Sequence, residues 1–185
     1  MAKKVYCCSA GHNPSGKIAC GASDLLDEST EARKINKEVI RLLKKKGYKA
    51  YNCTTNKGTS QSDVLKKVVS YHNAHRDAAL NISIHLNSGR GDRKGDGSIG
   101  GTEALVYSNT GIKKEVSQRY LKNMEKLGFR NRGIKIRQDL YFLNHTKGAA
   151  ILFEICFVDD ADDYKLYKRV GYKKIAEAIV DAILS

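Results

Sequence analysis

Short runs rich in β-branched and aromatic residues alternate with stretches of helical period along the whole chain, and this alternation limits the folds open to it. Residues 4–9, 49–54, 79–85 and 102–107 read as strands. Residues 140–143 and 150–154 read as two more short ones. Residues 29–46 read as an amphipathic helix with Ile35, Val39, Leu42 and Leu43 on one face and Gly47 at its end. A second helix begins at a Ser62 cap and carries Val64, Leu65, Val68 and Tyr71. Residues 111–127 form a third, and residues 159–185 are mostly helical with a break at Gly171. Strands that alternate with helices predict an α/β fold, a mostly parallel twisted sheet of about six strands with helices on both faces. At 185 residues one domain, 1–185, accommodates all of it and buries a core without disulfides.

Against that frame, a few polar residues sit where apolar ones are expected. His12 follows the first strand by a short turn, and His85 ends the third after Ile82-Ser83-Ile84. Glu28 begins the first helix, where a carboxylate also favours the helix dipole. Glu154 closes the apolar strand Ile151-Leu152-Phe153, and a carboxylate there is costly unless a metal or a basic side chain compensates it. In a parallel sheet, strand ends converge on one crevice. Two His and one Glu hold Zn²⁺ with a fourth position open, and the second Glu then handles protons. The plainer alternative for each is a hydrogen-bonded core histidine or a salt-bridged glutamate. His72, His75 and His145 compete as ligands. His72 and His75, near a helix end, read as an exposed face or a dipole contact. Glu31 and Glu38 compete with Glu28 but read as surface positions.

Other motifs carry less. Residues 88–101 form a long polar, Gly-rich loop, functional or merely mobile. Its Gly95-x-Gly97-x-x-Gly100 lacks the strand before and helix after that a dinucleotide fingerprint needs. No Gly-x-Ser-x-Gly elbow supports a serine hydrolase. Of the five cysteines, Cys7, Cys8, Cys53 and Cys156 fall in expected strands. Without Cys-x-x-Cys spacing, buried reduced thiols are the expected state and cysteine-bound zinc is disfavoured.

Lys and Arg number 33 against 20 Asp and Glu, a net charge of +13, which predicts attraction to polyanions and says nothing of fold. No basic stripe interleaved with aromatics accompanies it, so no nucleic-acid partner is expected. No apolar run reaches membrane-spanning length, and the N-terminus has no signal-peptide core, so synthesis in the cytoplasm is expected.

At Ser83-Ile84-His85-Leu86-Asn87, Leu152-Phe153-Glu154-Ile155-Cys156-Phe157, Asn36 and Gly101-Thr102-Glu103 the chain resembles the zinc-dependent N-acetylmuramoyl-L-alanine amidases of phage endolysins and spore-lysis enzymes. The resemblance runs from Gly11-His12 almost to the C-terminus. It implies one Zn²⁺ on His12, Glu28 and His85, with Glu154 as the catalytic carboxylate. It also implies cleavage of the amide between N-acetylmuramic acid and L-alanine of the stem peptide. Peptidoglycan is then the substrate, anionic wall polymers are additional partners, and the enzyme reaches the wall after release or lysis. The chain departs from the family at Asn13-Pro14, Ala149 and Cys156, which bear on loop shape and packing. The alternatives are a basic nucleic-acid-binding domain or an inactive wall-binding domain.

Overall fold

A computed structural model describes residues 4–185. The reading of the N-terminus as leaderless rests partly on residues 1–3, which lie outside the described residues. The elements run β1 (Val5–Ala10), α1 (Glu28–Lys45), β2 (Lys49–Asn52), α2 (Gln61–Asn73), β3 (Ala78–Asn87), β4 (Thr102–Val106), α3 (Gly111–Lys126), β5 (Asn131–Ile136), α4 (Tyr141–His145), β6 (Ala150–Phe157), α5 (Ala161–Val170) and α6 (Tyr172–Leu184). The six strands lie in the order β2-β1-β3-β6-β4-β5. Every pairing is parallel except β4 with β6. The expected α/β single domain is therefore present, with β4 and β5 reversed.

Strand alternation divides the interior. Leu80, Ile82, Ile84 and Leu86 of β3, with Ile151, Phe153 and Ile155 of β6, enter the main core with α1, α3 and α6. The opposite face packs Leu105 and Leu152 against Val64, Val68 and Val69 of α2 and Phe142 and Leu143 of α4. On that second face β3 carries Asn81, Ser83 and His85, so its polar residues share one side.

Three expectations are corrected. Residues 140–143 are not a strand. They open the short helix α4, because an apolar run that brief has no period to separate helix from strand. The sixth strand is β5, Asn-Arg-Gly-Ile-Lys-Ile, which was not expected. It is an edge strand, mostly solvated and charged, and so lacks the apolar signature of a buried one. The α2 cap is Ser60, whose hydroxyl accepts from the Asp63 amide at 3.1 Å, and not Ser62. Cys53 lies just past β2. All five thiols are free, and all but Cys20 are buried.

The Gly-rich loop is strapped down. Asp159 Oδ2 accepts from the amides of Gly89 and Gly91 at 2.8 Å each. Asp160 holds Arg90 at 2.9 Å, and Asp162 accepts from Gly97 at 2.8 Å. The acidic run that begins the C-terminal helices thus anchors the loop backbone.

Ile179 of α6 is fully buried in the main core, whereas Ile136 at the end of β5 is 59% exposed. Ile179→Ala should cost about 2–5 kcal/mol through lost contacts and a residual cavity. Ile136→Ala should stay within about 0.5 kcal/mol. Urea unfolding of both variants checks the assignment of core and edge.

Candidate metal centre and active site

Three elements bring His12, Glu28 and His85 together. The amide of Gly11 donates to Ile84 carbonyl at 3.2 Å, which carries the β1–β3 pairing one residue past β1 and sets His12 beside β3. The turn that follows is fixed by Asn13, fully buried, whose amide nitrogen donates to the carbonyls of Ile18 and Gly58 at 2.8 Å each. Arg33, one turn into α1, donates to the His12 carbonyl at 2.6 Å and to the Thr55 carbonyl at 3.0 Å. Asp27 caps α1 through the Thr30 amide, and Glu28 is the first residue of the helix.

His12 Nε2, His85 Nδ1 and Glu28 Oε1 form a nearly equilateral triangle. The two nitrogens are 3.2 Å apart, and they stand 3.2 and 3.1 Å from the oxygen. Two imidazole nitrogens and a carboxylate oxygen converge at this point, a donor set suited to a cation. Ligand atoms about 2.0–2.1 Å from a tetrahedral Zn²⁺ are about 3.3 Å from one another, and the triangle fits that spacing. The approach is close: a Cβ on Gly11 would overlap the His85 ring, and one on Gly21 would meet Glu28 Oε2 and the His12 ring.

Electrostatics separates the two carboxylates. Burial resists ionisation of Glu28, but the contacts to His12 and His85 prevail and hold its carboxyl well below the usual range. Its Oε2 also accepts from the Ala22 amide at 2.9 Å, and its Oε1 from the Leu86 amide at 3.2 Å. Glu154 stands in the interior of β6, not at its end. It is paired in register with His85 on one side and Glu103 on the other. A β-bulge follows it, where Asn87 of β3 meets Phe157. Burial, reinforced by Glu28 and Glu103, pushes its carboxyl up to about 8, and Arg137 only partly offsets this. Its buried Oε2 has no hydrogen-bond partner. Glu103 is held by Arg132 at 2.5 Å.

His12, His85 and Glu154 line one cavity of about 360 Å³, whose wall also includes Leu65 of α2 and Tyr141 and Phe142 of α4. The four sequence candidates are thus brought together, and the competitors are not. His145 is exposed and stacks on Tyr141 at 3.9 Å. His75 stacks on Tyr51 at 3.8 Å, and it gathers with the thiols of Cys7 and Cys53, a proximity that sequence spacing gave no sign of. Glu31 is tied to Lys34 and the Tyr167 hydroxyl. Glu38, expected at the surface, is largely buried under a bidentate pairing with Arg41 at 2.6 and 2.8 Å. Asn36 is buried but remote from the triangle. It ties α1 to Asn52 and Thr54 at 3.2 Å each.

His72 reverses its expectation. It is fully buried, with Nδ1 on Asn81 Oδ1 at 3.0 Å and Nε2 on the Ser9 hydroxyl at 2.9 Å. Sequence reasoning placed this residue on an exposed face, and it missed Arg33. The alternation Asn81-x-Ser83-x-His85 in an apolar strand was the one available signal for a polar partner on that face.

The chain matches the N-acetylmuramoyl-L-alanine amidase family over residues 7–185. It belongs to that family. The catalytic domain of the CD27L endolysin targeting Clostridia difficile is 28% identical and superposes with a TM-score of 0.82, over 98% of this chain and 97% of that one. The catalytic domain of CwlV, an N-acetylmuramoyl-L-alanine amidase of Bacillus (Paenibacillus) polymyxa var. colistinus, shares the fold at 21% identity and a TM-score of 0.77, over 97% of this chain and 96% of that one. An uncharacterised protein of Clostridium perfringens is 30% identical over 174 residues, 94% of this chain and 49% of its own length. The chain therefore spans about half the length of the curated relatives it matches. No helix among the described residues of this family member is long and apolar enough to cross a membrane.

Burial lowers the His72 pKa to about 4, with the Asn81 contact opposing and His75 assisting. An unfolded histidine takes its proton near pH 6.5. Stability from neutral, buried His72 is therefore complete above about 6.5 and is lost as the pH falls toward about 4, by roughly 3 kcal/mol in all. Unfolding titrations of the wild type against His72→Gln should diverge in that window, with the variant losing less stability on acidification. Parallel curves would show that His72 is solvated in solution.

Proposed function

We propose that the chain is a peptidoglycan hydrolase, cleaving the amide between N-acetylmuramic acid and L-alanine with one Zn²⁺ held by His12 Nε2, Glu28 Oε1 and His85 Nδ1. The observation that carries the reading is the 3.1–3.2 Å triangle of those atoms on a cavity shared with a partnerless buried carboxylate. Family membership supports the reaction. A zinc ion so held polarises a carbonyl and lowers the pKa of water to about 7.

The residues divide the work. Glu28 and the two imidazoles hold the cation, and both imidazoles must be neutral to do so. Glu154 takes the proton of the attacking water and returns it to the leaving amide nitrogen. In the metal-free chain its carboxyl stays protonated to about 8, and a positive charge placed in the same cavity favours the carboxylate that a base requires. Leu65, Tyr141 and Phe142 give the cavity an apolar wall, which strengthens these interactions. The His72, His75 and His145 side chains take no part in this ligation.

Elemental analysis should find zinc in the wild type and none at this site in the double variant His12→Ala, His85→Ala. Glu154→Gln should keep the metal and the fold while losing about 10²–10⁴-fold in rate. The product on purified peptidoglycan should be stem peptides with new amino termini and no new reducing sugars. Zinc retained in the double variant would move the site elsewhere, and an active Glu154→Gln enzyme would make Glu154 structural.

The net charge of +13 is assigned to substrate capture. Cell walls with teichoic acid phosphates and stem-peptide carboxylates attract such a domain over a Debye length of about 10 Å at 0.1 M salt, shrinking to about 3 Å at 1 M. Lysis of intact walls should weaken steeply over that range, whereas cleavage of a small neutral muramoyl-peptide should change little. Equal salt dependence for the two substrates would return the charge to a solvated surface. On this reading the enzyme acts on the bacterial cell wall.

A further inference from the structure

At its β2 edge the sheet gathers a second set of soft donors. Cys7 lies in register with Tyr51 across the β1–β2 pairing. Cys53 stands two residues after Tyr51, and its amide donates to the Cys8 carbonyl at 2.8 Å, which continues the pairing past the end of β2. Alternate residues of a strand share a face, so both thiols lie on the side where Ser9 meets His72 of α2. His75 reaches them from the turn between α2 and β3. Two backbone bonds of 3.1 Å each close that turn, from the His75 amide to the His72 carbonyl and from the Ala78 amide to the His75 carbonyl. The His75 ring stacks on Tyr51, with centroids 3.8 Å and planes 10° apart. The Cys7 and Cys53 sulfurs and a His75 ring nitrogen all lie within 4.8 Å of one another.

The donor types narrow what such a cluster can hold. Sulfur and imidazole suit zinc and the softer cations, whereas calcium and magnesium prefer oxygen. With Zn–S about 2.3 Å and Zn–N about 2.0–2.1 Å, tetrahedral ligands stand about 3.5–3.8 Å apart, so the three atoms have little distance to close. Charge then decides the valence. Cys7 is 0% exposed and Cys53 1%, and a net charge at that depth is costly. Two thiolates and a neutral imidazole cancel a divalent ion, whereas a univalent one would leave a buried negative charge. The two thiol protons leave to solvent as the ion binds. His75 is half-buried, which gives the ion an approach from outside. Spacing along the chain gives no hint of the cluster, because the parallel pairing of β1 with β2 assembles it.

We propose that Cys7, Cys53 and His75 form a second metal site, which takes a divalent thiophilic cation of the zinc class and clamps the edge strand β2 to β1 and to the α2–β3 turn. It shares no residue with the triangle of His12, Glu28 and His85, and it stands whether or not that triangle holds zinc. Its ligands come from three segments that only the folded chain brings together, so the bound ion stabilises the fold.

The test titrates the metal-stripped full chain with Co²⁺, anaerobically and in a non-chelating reductant. Cobalt bound by thiolate gives a sulfur-to-metal charge-transfer band in the near ultraviolet, and cobalt on two imidazoles and a carboxylate gives none, so the two sites are read apart. The wild type should develop the band to saturation with one equivalent bound at the thiolates, and Zn²⁺ should bleach it. Cys53→Ala should lose at least half of the band, and Cys7→Ala with Cys53→Ala all of it. Cys20→Ser, at a thiol outside the cluster, should change nothing. His75→Ala, in an accessible turn, tests the site even if the buried cysteine variants do not fold. It should weaken cobalt by more than the about 10–100-fold that groups behind a ligand contribute. The His12→Ala, His85→Ala chain should keep the band, and zinc at the triangle is counted in the Cys7→Ala, Cys53→Ala background. A reduced wild type without the band, a band that survives loss of both cysteines, or wild-type affinity in His75→Ala overturns the site.

Discussion

A negative charge buried where α1 begins organises the active end of the molecule. Glu28 is 4% exposed, and an isolated carboxylate at that depth is too costly to keep ionised. It stays ionised because two imidazoles and the amides of Ala22 and Leu86 surround it. Each partner belongs to a different segment: His12 to the turn after β1, Ala22 to the long connection before α1, and His85 and Leu86 to β3. Satisfying one carboxylate therefore locks the helix start, the turn and the strand into a single arrangement. Gly11 and Gly21 are part of the same constraint, since any side chain there would occupy the space of the His85 or His12 ring or of Glu28 itself.

Much of this was legible because the sheet imposes a strict period. Leu80, Ile82, Ile84 and Leu86 announce a buried strand, so the histidine between the last two is conspicuous. Glu154 stands out in the same way within Ile151-Leu152-Phe153. The rest was less legible for physical reasons. The β5 strand is solvated on an edge, where no apolar pattern is required. Residues 140–143 are too few to express either period. His72 looked like a surface residue near a helix end because its burial depends on Asn81 and Ser9, which are distant in sequence and declare themselves only when β1 and β3 pair. Cys7, Cys53 and His75 converge for the same reason. Local sequence marks which residues are out of place in an apolar segment, and only the tertiary pairing shows what they answer to.

The same pairing gives two glutamates in one site opposite tendencies. Glu28 accepts from the Ala22 and Leu86 amides, lies against two imidazoles and is held ionised. Glu154 stands in register between His85 and a second carboxylate, Glu103, with one oxygen unpartnered, and holds its proton. Environments that drive two carboxyl groups apart in this manner allow one to serve as a fixed charge and the other to exchange protons. Glu103 cannot relax away from Glu154, because antiparallel pairing of β4 with β6 fixes it opposite and Arg132 of the edge strand holds its head. Reversal of β4 thus sets the environment of Glu154. The long loop of residues 88–101 carries the chain from β3 to the far side of β6, and the Asp159–Asp163 run secures that loop. The antiparallel strand it delivers places Glu103 in register beside Glu154.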